Sequence, residues 1–84
     1  MKTVFLLMAE FETPNIPLED IRERYFGLSK EEASKKAKQH SLPVPAFRMG
    51  GQRSPWFVHV EELAKYIDDL NAKQREIWKK MNVA

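Results

Sequence analysis

Residues 18–40 read LEDIRERYFGLSKEEASKKAKQH, and the two halves of this stretch decide the fold. Apolar side chains recur at three- and four-residue spacing from Leu18 to Leu28, which predicts a helix over about Leu18–Phe26. Gly27 follows, and glycine readily takes the left-handed conformation that ends many helices. The first half therefore predicts one short helix that ends at a turn.

The second half opens with a signal for a helix start. Ser29-Lys30-Glu31-Glu32 fits the S-x-x-E capping box, in which the serine hydroxyl and the glutamate carboxylate each satisfy a backbone N–H group. A second helix, from Lys30 to about His40, is expected to carry the small residues Ala33 and Ala37 on one face. Two short helices joined by a tight turn are the layout of a helix-turn-helix.

The chain beyond this pair predicts a β-hairpin and a long helix. Prolines in residues 41–45 favour extended backbone, residues 50–55 form a turn cluster, and Trp56–Val60 is the strongest strand pattern. From Glu61 onward a series of mostly apolar residues recurs at alternating spacings of four and three, as in a heptad repeat. We call this series the seam. The seam positions are Leu63, Ile67, Leu70, Gln74, Ile77 and Met81.

The N-terminal segment is ambiguous. Val4–Phe11 is a short apolar run that looks more like a strand than a helix, although Leu6–Ala9 are also good helix formers. Residues 13–17 contain two prolines and are expected to interrupt regular structure. The fold class expected is α+β: a small winged helix-turn-helix with two short helices, a β-hairpin wing, a long C-terminal helix and a short N-terminal strand-like segment. We expect residues 1–84 to form a single winged-helix domain, with residues 71–84 as a C-terminal helical extension.

Length and composition exclude several classes of function. A chain of 84 residues is too short for a large α/β enzyme scaffold. The absence of cysteine excludes thiolate nucleophiles, disulfides and Cys-based zinc sites. The two histidines, His40 and His59, lie in unrelated surroundings, and no phosphate loop or metal-ligand spacing is present. We therefore expect a protein that is not an enzyme, has no catalytic residue, metal or cofactor, does not bind membranes and resides in the cytoplasm.

Charge is distributed unevenly along the chain. The net charge is −2 over residues 1–29, +4 over residues 30–60 and zero over residues 61–84, and residues 33–60 contain no acidic side chain. A basic middle inside a chain of net charge +2 indicates binding to a polyanion. A lysine-rich helix exposed to solvent is the simpler interpretation of the lysines alone, but the helix-turn-helix layout and the arginines of the hairpin favour DNA. The expected DNA contacts are Ser34, Lys35, Lys36, Lys38 and Gln39 on the second helix and Arg48, Gln52 and Arg53 on the hairpin.

The end of the last helix predicts contact with another copy of the chain. The first half of the seam is expected to pack on the chain's own core. Because a helix rises ~1.5 Å per residue, the second half lies too far away to reach that small core. The residues expected in an oligomer interface are Ile77, Trp78 and Met81.

Five segments together resemble the pyocin activator (PrtN-like) family. They are Thr3–Phe11, Pro17–Ile21, Tyr25–Phe26, Leu42–Pro45 and Leu63–Asp68. The resemblance covers about residues 1–69, and the proline-bounded strand, the wing and the aromatic return strand are also similar to the winged-helix phage excisionase and Cox-type regulators. It implies a transcriptional activator of phage-tail-like bacteriocin (pyocin) or prophage genes that acts on promoter DNA.

Three functions remain as hypotheses. The first is a sequence-specific DNA-binding activator, and the second is an excisionase-like architectural protein that bends DNA and assembles along it. The third is an adaptor that binds only proteins through its last helix. The expected partners are double-stranded promoter DNA and further copies of the chain, and RNA polymerase is a candidate.

Overall fold

The computed structural model describes residues 2–51 and 53–83. Over these residues the chain forms four helices and three strands in an α+β arrangement that is compatible with a small winged-helix domain. In chain order they are α1 (Thr3–Phe11), β1 (Asn15–Pro17), α2 (Leu18–Phe26), α3 (Lys30–Lys38), β2 (Phe47–Arg48), β3 (Trp56–His59) and α4 (Val60–Asn82).

The pair α2 and α3 confirms the two short helices. Gly27 ends α2 with a φ of 64°, a left-handed conformation that costs glycine little. Ser29 caps α3: its hydroxyl oxygen accepts the N–H of Glu32, and the Glu32 carboxylate accepts the N–H of Ser29. The capping box is therefore confirmed. The helix ends at Lys38, slightly before the expected end.

The three strands form one antiparallel sheet in the order β1-β3-β2. The β-hairpin is confirmed, with Phe47 opposite Phe57 and Arg48 opposite Trp56. Val58 on the central strand lies opposite Ile16 of β1.

Two sequence-based expectations for the N-terminal region are wrong. Thr3–Phe11 is a helix and not strand-like, because its Leu and Met side chains favour helix and Leu7 packs into the core beside α4. Asn15–Pro17 does not interrupt regular structure but forms β1. Ile16 drives this pairing, since its side chain is fully buried between the sheet and the helices.

The boundary between β3 and α4 also differs from the expected one. Val60 begins α4 and does not end the strand. His59 causes the change, because its ring nitrogen Nδ1 accepts the N–H of Glu61 at 3.2 Å and so caps the helix.

One core joins the sheet to the helices. Its fully buried centre consists of Ile16, Ile21, Val58 and Leu63. Ala33 and Ala37 are each only 2% exposed and bring α3 close to this centre. Since Leu63 sits near the start of α4, the core covers only the first part of that helix, and every residue from Asp68 to Val83 is exposed.

Candidate nucleic-acid interface

The outer face of α3 is basic and lies opposite its buried alanines. Because Ala33 and Ala37 pack inward, residues on the other side of the helix point into solvent. A shallow depression on that side is lined by Lys30, Glu31, Ser34, Lys35 and Lys38. The structure therefore brings together three of the residues that the sequence predicted for DNA contact, namely Ser34, Lys35 and Lys38.

The other two predicted residues of this helix lie apart from that depression. Gln39 is the C-terminal cap of α3 and is exposed. Lys36 is half-buried on the flank next to the alanines, and its carbonyl oxygen accepts a hydrogen bond from the N–H of Ser41 at 2.9 Å.

On the hairpin, Arg48 is held by an aromatic side chain. The guanidinium carbon of Arg48 lies 4.3 Å from the centroid of the Trp56 ring, which is a cation–π contact. Within residues 2–51 and 53–83 no acid forms an ion pair with Arg48. Both residues are half-buried at the base of the hairpin.

The tip of the hairpin exposes Arg53. The turn is stabilised at Ser54, whose N–H and hydroxyl both donate to the carbonyl oxygen of Gly51, at 3.0 and 2.7 Å. Gln52, the third predicted contact of the hairpin, lies outside the described residues.

A cavity of about 190 Å³ joins α3 to the hairpin. Lys30 and Ser34 line it from α3, while Pro55 and Trp56 line it from the start of the return strand. The basic face of α3 and the base of the hairpin are therefore neighbours on the surface.

Two acids border this face: Glu31 lines the depression on α3, and Glu19 lines the cavity between α3 and the hairpin. In the part of the chain that the structure describes there are two ion pairs, and both involve α2: Arg22 with Glu19 at 3.0 Å, and Arg24 with Glu10. Lys35, Lys38 and Arg53 have no ion-pair partner among residues 2–51 and 53–83. Their charges are thus available to an external anion.

Sequence reasoning missed Lys30 and Glu31 as members of the candidate interface. Both lie in the first turn of α3 and share the depression with Ser34. In helix-turn-helix proteins the N-terminal residues of the second helix contact base edges. The capping box at Ser29 shows in the sequence where the first turn of α3 lies. It could therefore have indicated Lys30 and Glu31 as contact residues.

The end of α4 carries an exposed apolar stripe. Ile77 is 53% exposed, Trp78 64% and Met81 80%. Ile77 and Met81 are four residues apart and Trp78 and Met81 are three apart, so all three lie on one side of the helix. Leu70, two turns before Ile77, lies on the same side. Contact with another copy of the chain stays a prediction for these residues.

Neither a metal centre nor a membrane-spanning helix occurs in the described chain. Residues 2–51 and 53–83 hold no group of three His, Asp or Glu side chains placed to bind a metal ion. No helix within the same residues combines the length and the apolar character needed to cross a bilayer.

Comparison with known proteins identifies the family. The model of the family described as "Pyocin activator protein PrtN" matches residues 3–74, which is most of the chain and includes α3 and the hairpin. This family consists of regulatory activators and is not a class of enzymes. Searches of curated proteins and of solved structures found no match. The chain belongs to the pyocin activator (PrtN) family.

Proposed function

We propose that this protein is a cytoplasmic, sequence-specific DNA-binding activator of pyocin or prophage genes, without catalytic activity. The proposal takes residues 1–84 as a single winged-helix domain with residues 71–84 as a helical extension. One observation carries it: the outer face of α3 presents Ser34, Lys35 and Lys38 beside the hairpin base, and no acid pairs with the lysines within residues 2–51 and 53–83.

In this proposal α3 enters the major groove of DNA. The groove is wide enough for a helix, and its base edges offer distinct patterns of donors and acceptors. Glu31 can accept a hydrogen bond from a cytosine amino group, while Ser34 and Lys35 can contact neighbouring base edges. Lys38 and Gln39, at the opposite end of the helix, reach bases or flanking phosphates. Lys36 contacts phosphate from the flank of the helix.

The hairpin lies against the neighbouring minor groove. Arg53 is exposed at its tip, and the negative potential of a narrow minor groove attracts arginine. Arg48 contacts phosphate from the base of the hairpin, where the Trp56 ring fixes its planar guanidinium group. Gln52 precedes Arg53 in the sequence, and we place it in the DNA contact of the hairpin with Arg53. A fixed arginine loses less side-chain entropy on binding than a mobile one.

An electrophoretic shift with promoter DNA of a pyocin gene tests DNA binding, and a promoter reporter tests activation. We expect a discrete complex, a compact footprint and reporter output that depends on the protein. The Lys35→Ala/Lys38→Ala variant should bind more weakly and give a lower reporter output. Lys79→Ala, which removes a lysine from the far end of α4, is the matched control and should keep both.

The same assays separate the other hypotheses. An excisionase-like protein would give a footprint that spreads with concentration, together with DNA bending, but no reporter output. A protein-only adaptor would give no shift at any concentration. Either outcome contradicts the proposed activator.

A further inference from the structure

Helix α1 is apolar on the side that faces solvent as well as on the side that faces the core. Leu7 is buried, whereas Phe5 is 59% exposed, Leu6 53% and Met8 36%. A helix that is apolar all round is normally buried on all sides. The solvent side of α1, with Phe5, Leu6 and Ala9 on one face, therefore calls for a partner.

The end of α4 also lacks a partner. Residues 71–83 are all exposed, and an isolated helical segment of this length is marginal in water. Its apolar stripe of Leu70, Ile77, Trp78 and Met81 is therefore expected to gain its stability from another surface. Because residues 71–83 are exposed along their whole length, they do not pack on the α1 of the same chain.

We propose that the stripe at the end of α4 packs on the exposed face of α1 in a second copy of this chain. The two surfaces complement each other in charge. The tail of α4 from Lys73 to Lys80 carries four basic side chains and one acidic one. Thr3–Glu12 carries two acids and no basic residue; Glu10 already pairs with Arg24, which leaves Glu12 for the tail. Lys73 and Lys80 flank the stripe, and Glu12 flanks the α1 face.

Pairing between two α4 tails is the less favourable arrangement. Leu63 is buried in the chain's own core and Ile67 packs partly against it. Fewer than two heptads of the seam are therefore free to pair with a second α4. A stable coiled coil usually needs ~3–4 heptads. In an antiparallel pair the flanking Lys73 and Lys80 of the two copies would also meet, and like charges repel.

A complementation experiment in the absence of DNA tests the proposal independently of the proposed function. Leu6→Asp places a charge in the exposed face of α1 and leaves the α4 stripe intact. Trp78→Asp places a charge in the α4 stripe and leaves the α1 face intact. Both side chains are exposed, so both variants should fold, which circular dichroism checks. Sedimentation equilibrium should show that each variant alone raises the dissociation constant of self-association at least ~30-fold, as expected for loss of an interface hot spot.

The mixture of the two variants gives the decisive result. The tail of the Leu6→Asp chain can still pack on the α1 of the Trp78→Asp chain. A one-to-one complex should therefore form in the mixture at concentrations at which each variant alone is monomeric. Lys79→Ala, on the side of α4 away from the stripe, should associate as the unaltered chain does. The proposal is overturned if Leu6→Asp associates normally, if Trp78→Asp does, if the unaltered chain is monomeric, or if the mixture forms no complex.

Discussion

The guanidinium group of Arg48 stacks on the indole ring of Trp56, its partner across the β-hairpin, at 4.3 Å from the ring centroid. The contact links β2 to β3 just before the turn that carries Arg53. It holds Arg48 at the base of the hairpin, and among residues 2–51 and 53–83 no acid forms an ion pair with this guanidinium group. In the proposed complex this charge lies close to DNA phosphate.

The first prediction concerns the Arg48–Trp56 contact. Arg48→Lys keeps the charge but loses the planar group that stacks on the ring, so it should lower the free energy of unfolding by about 0.5–1 kcal/mol. Urea unfolding measures this change. Arg53→Lys, at the exposed tip, is the matched control and should leave the unfolding free energy unaltered. Equal losses in the two variants would show that the stacking contributes no stability.

A second prediction concerns the capping box of α3. Ser29→Ala leaves the N–H of Glu32 without its acceptor and should destabilise the protein by about 1 kcal/mol. Ser29→Asp supplies another acceptor at the cap and should restore most of the loss. Thermal unfolding of the two variants and the unaltered chain makes the comparison. A Ser29→Asp variant as unstable as Ser29→Ala would contradict the role given to the cap.

The third prediction is a pH dependence that arises from Glu32. The hydrogen bond with the Ser29 hydroxyl, followed by that from the Ser29 N–H, lowers the pKa of the Glu32 carboxyl below its ordinary value. A lowered pKa in the folded state stabilises the protein above the ordinary glutamate pKa of about 4.3, and this contribution is lost as the pH falls through the lowered value. Stability measured from pH 6 downward should therefore decline in acid.

Glu32→Gln isolates that contribution, because glutamine can still complete a capping box but does not titrate in this range. Its stability should decline less below about pH 4.3 than that of the unaltered chain. If the two acid profiles coincide, the Glu32 carboxylate does not contribute to the acid sensitivity.

A fourth prediction separates base reading by α3 from shape reading by the wing. Gln39→Ala should relax the preference at one or two base positions and cost ~1–3 kcal/mol on the preferred site, with little effect on random DNA. Arg53→Ala should weaken binding to preferred and random DNA almost equally, because it contributes charge and groove shape. Selection from a randomised operator library compares both variants. A changed selected sequence for Arg53→Ala alone would reverse the roles of helix and wing.

Local signals were sufficient to predict the two short helices and the turn between them. Gly27 and the box Ser29–Glu32 mark the two ends of one turn, and both act over fewer than five residues, so the sequence predicts them directly. The spacing of Ser34, Lys35 and Lys38 on the side away from Ala33 and Ala37 follows from helical geometry in the same way.

Long-range contacts decide what the sequence alone did not predict. The helical state of Thr3–Phe11 depends on packing against α4, and β1 exists because Ile16 pairs with Val58 across more than forty residues. Neither partner is visible in a local window. The Arg48–Trp56 contact has the same origin, since it requires the register that the turn between β2 and β3 sets.

The salt dependence of DNA binding tests the central claim most directly. If ~4 of the basic side chains of α3 and the hairpin contact phosphates in each protomer, log K should fall against log salt with a slope of about −3.6 per protomer. Lys35→Ala/Lys38→Ala should reduce the magnitude of this slope by about 1.8, whereas Lys79→Ala should leave it unchanged. A slope near zero for the unaltered chain, or the same slope for the α3 variant, would contradict DNA binding through this face.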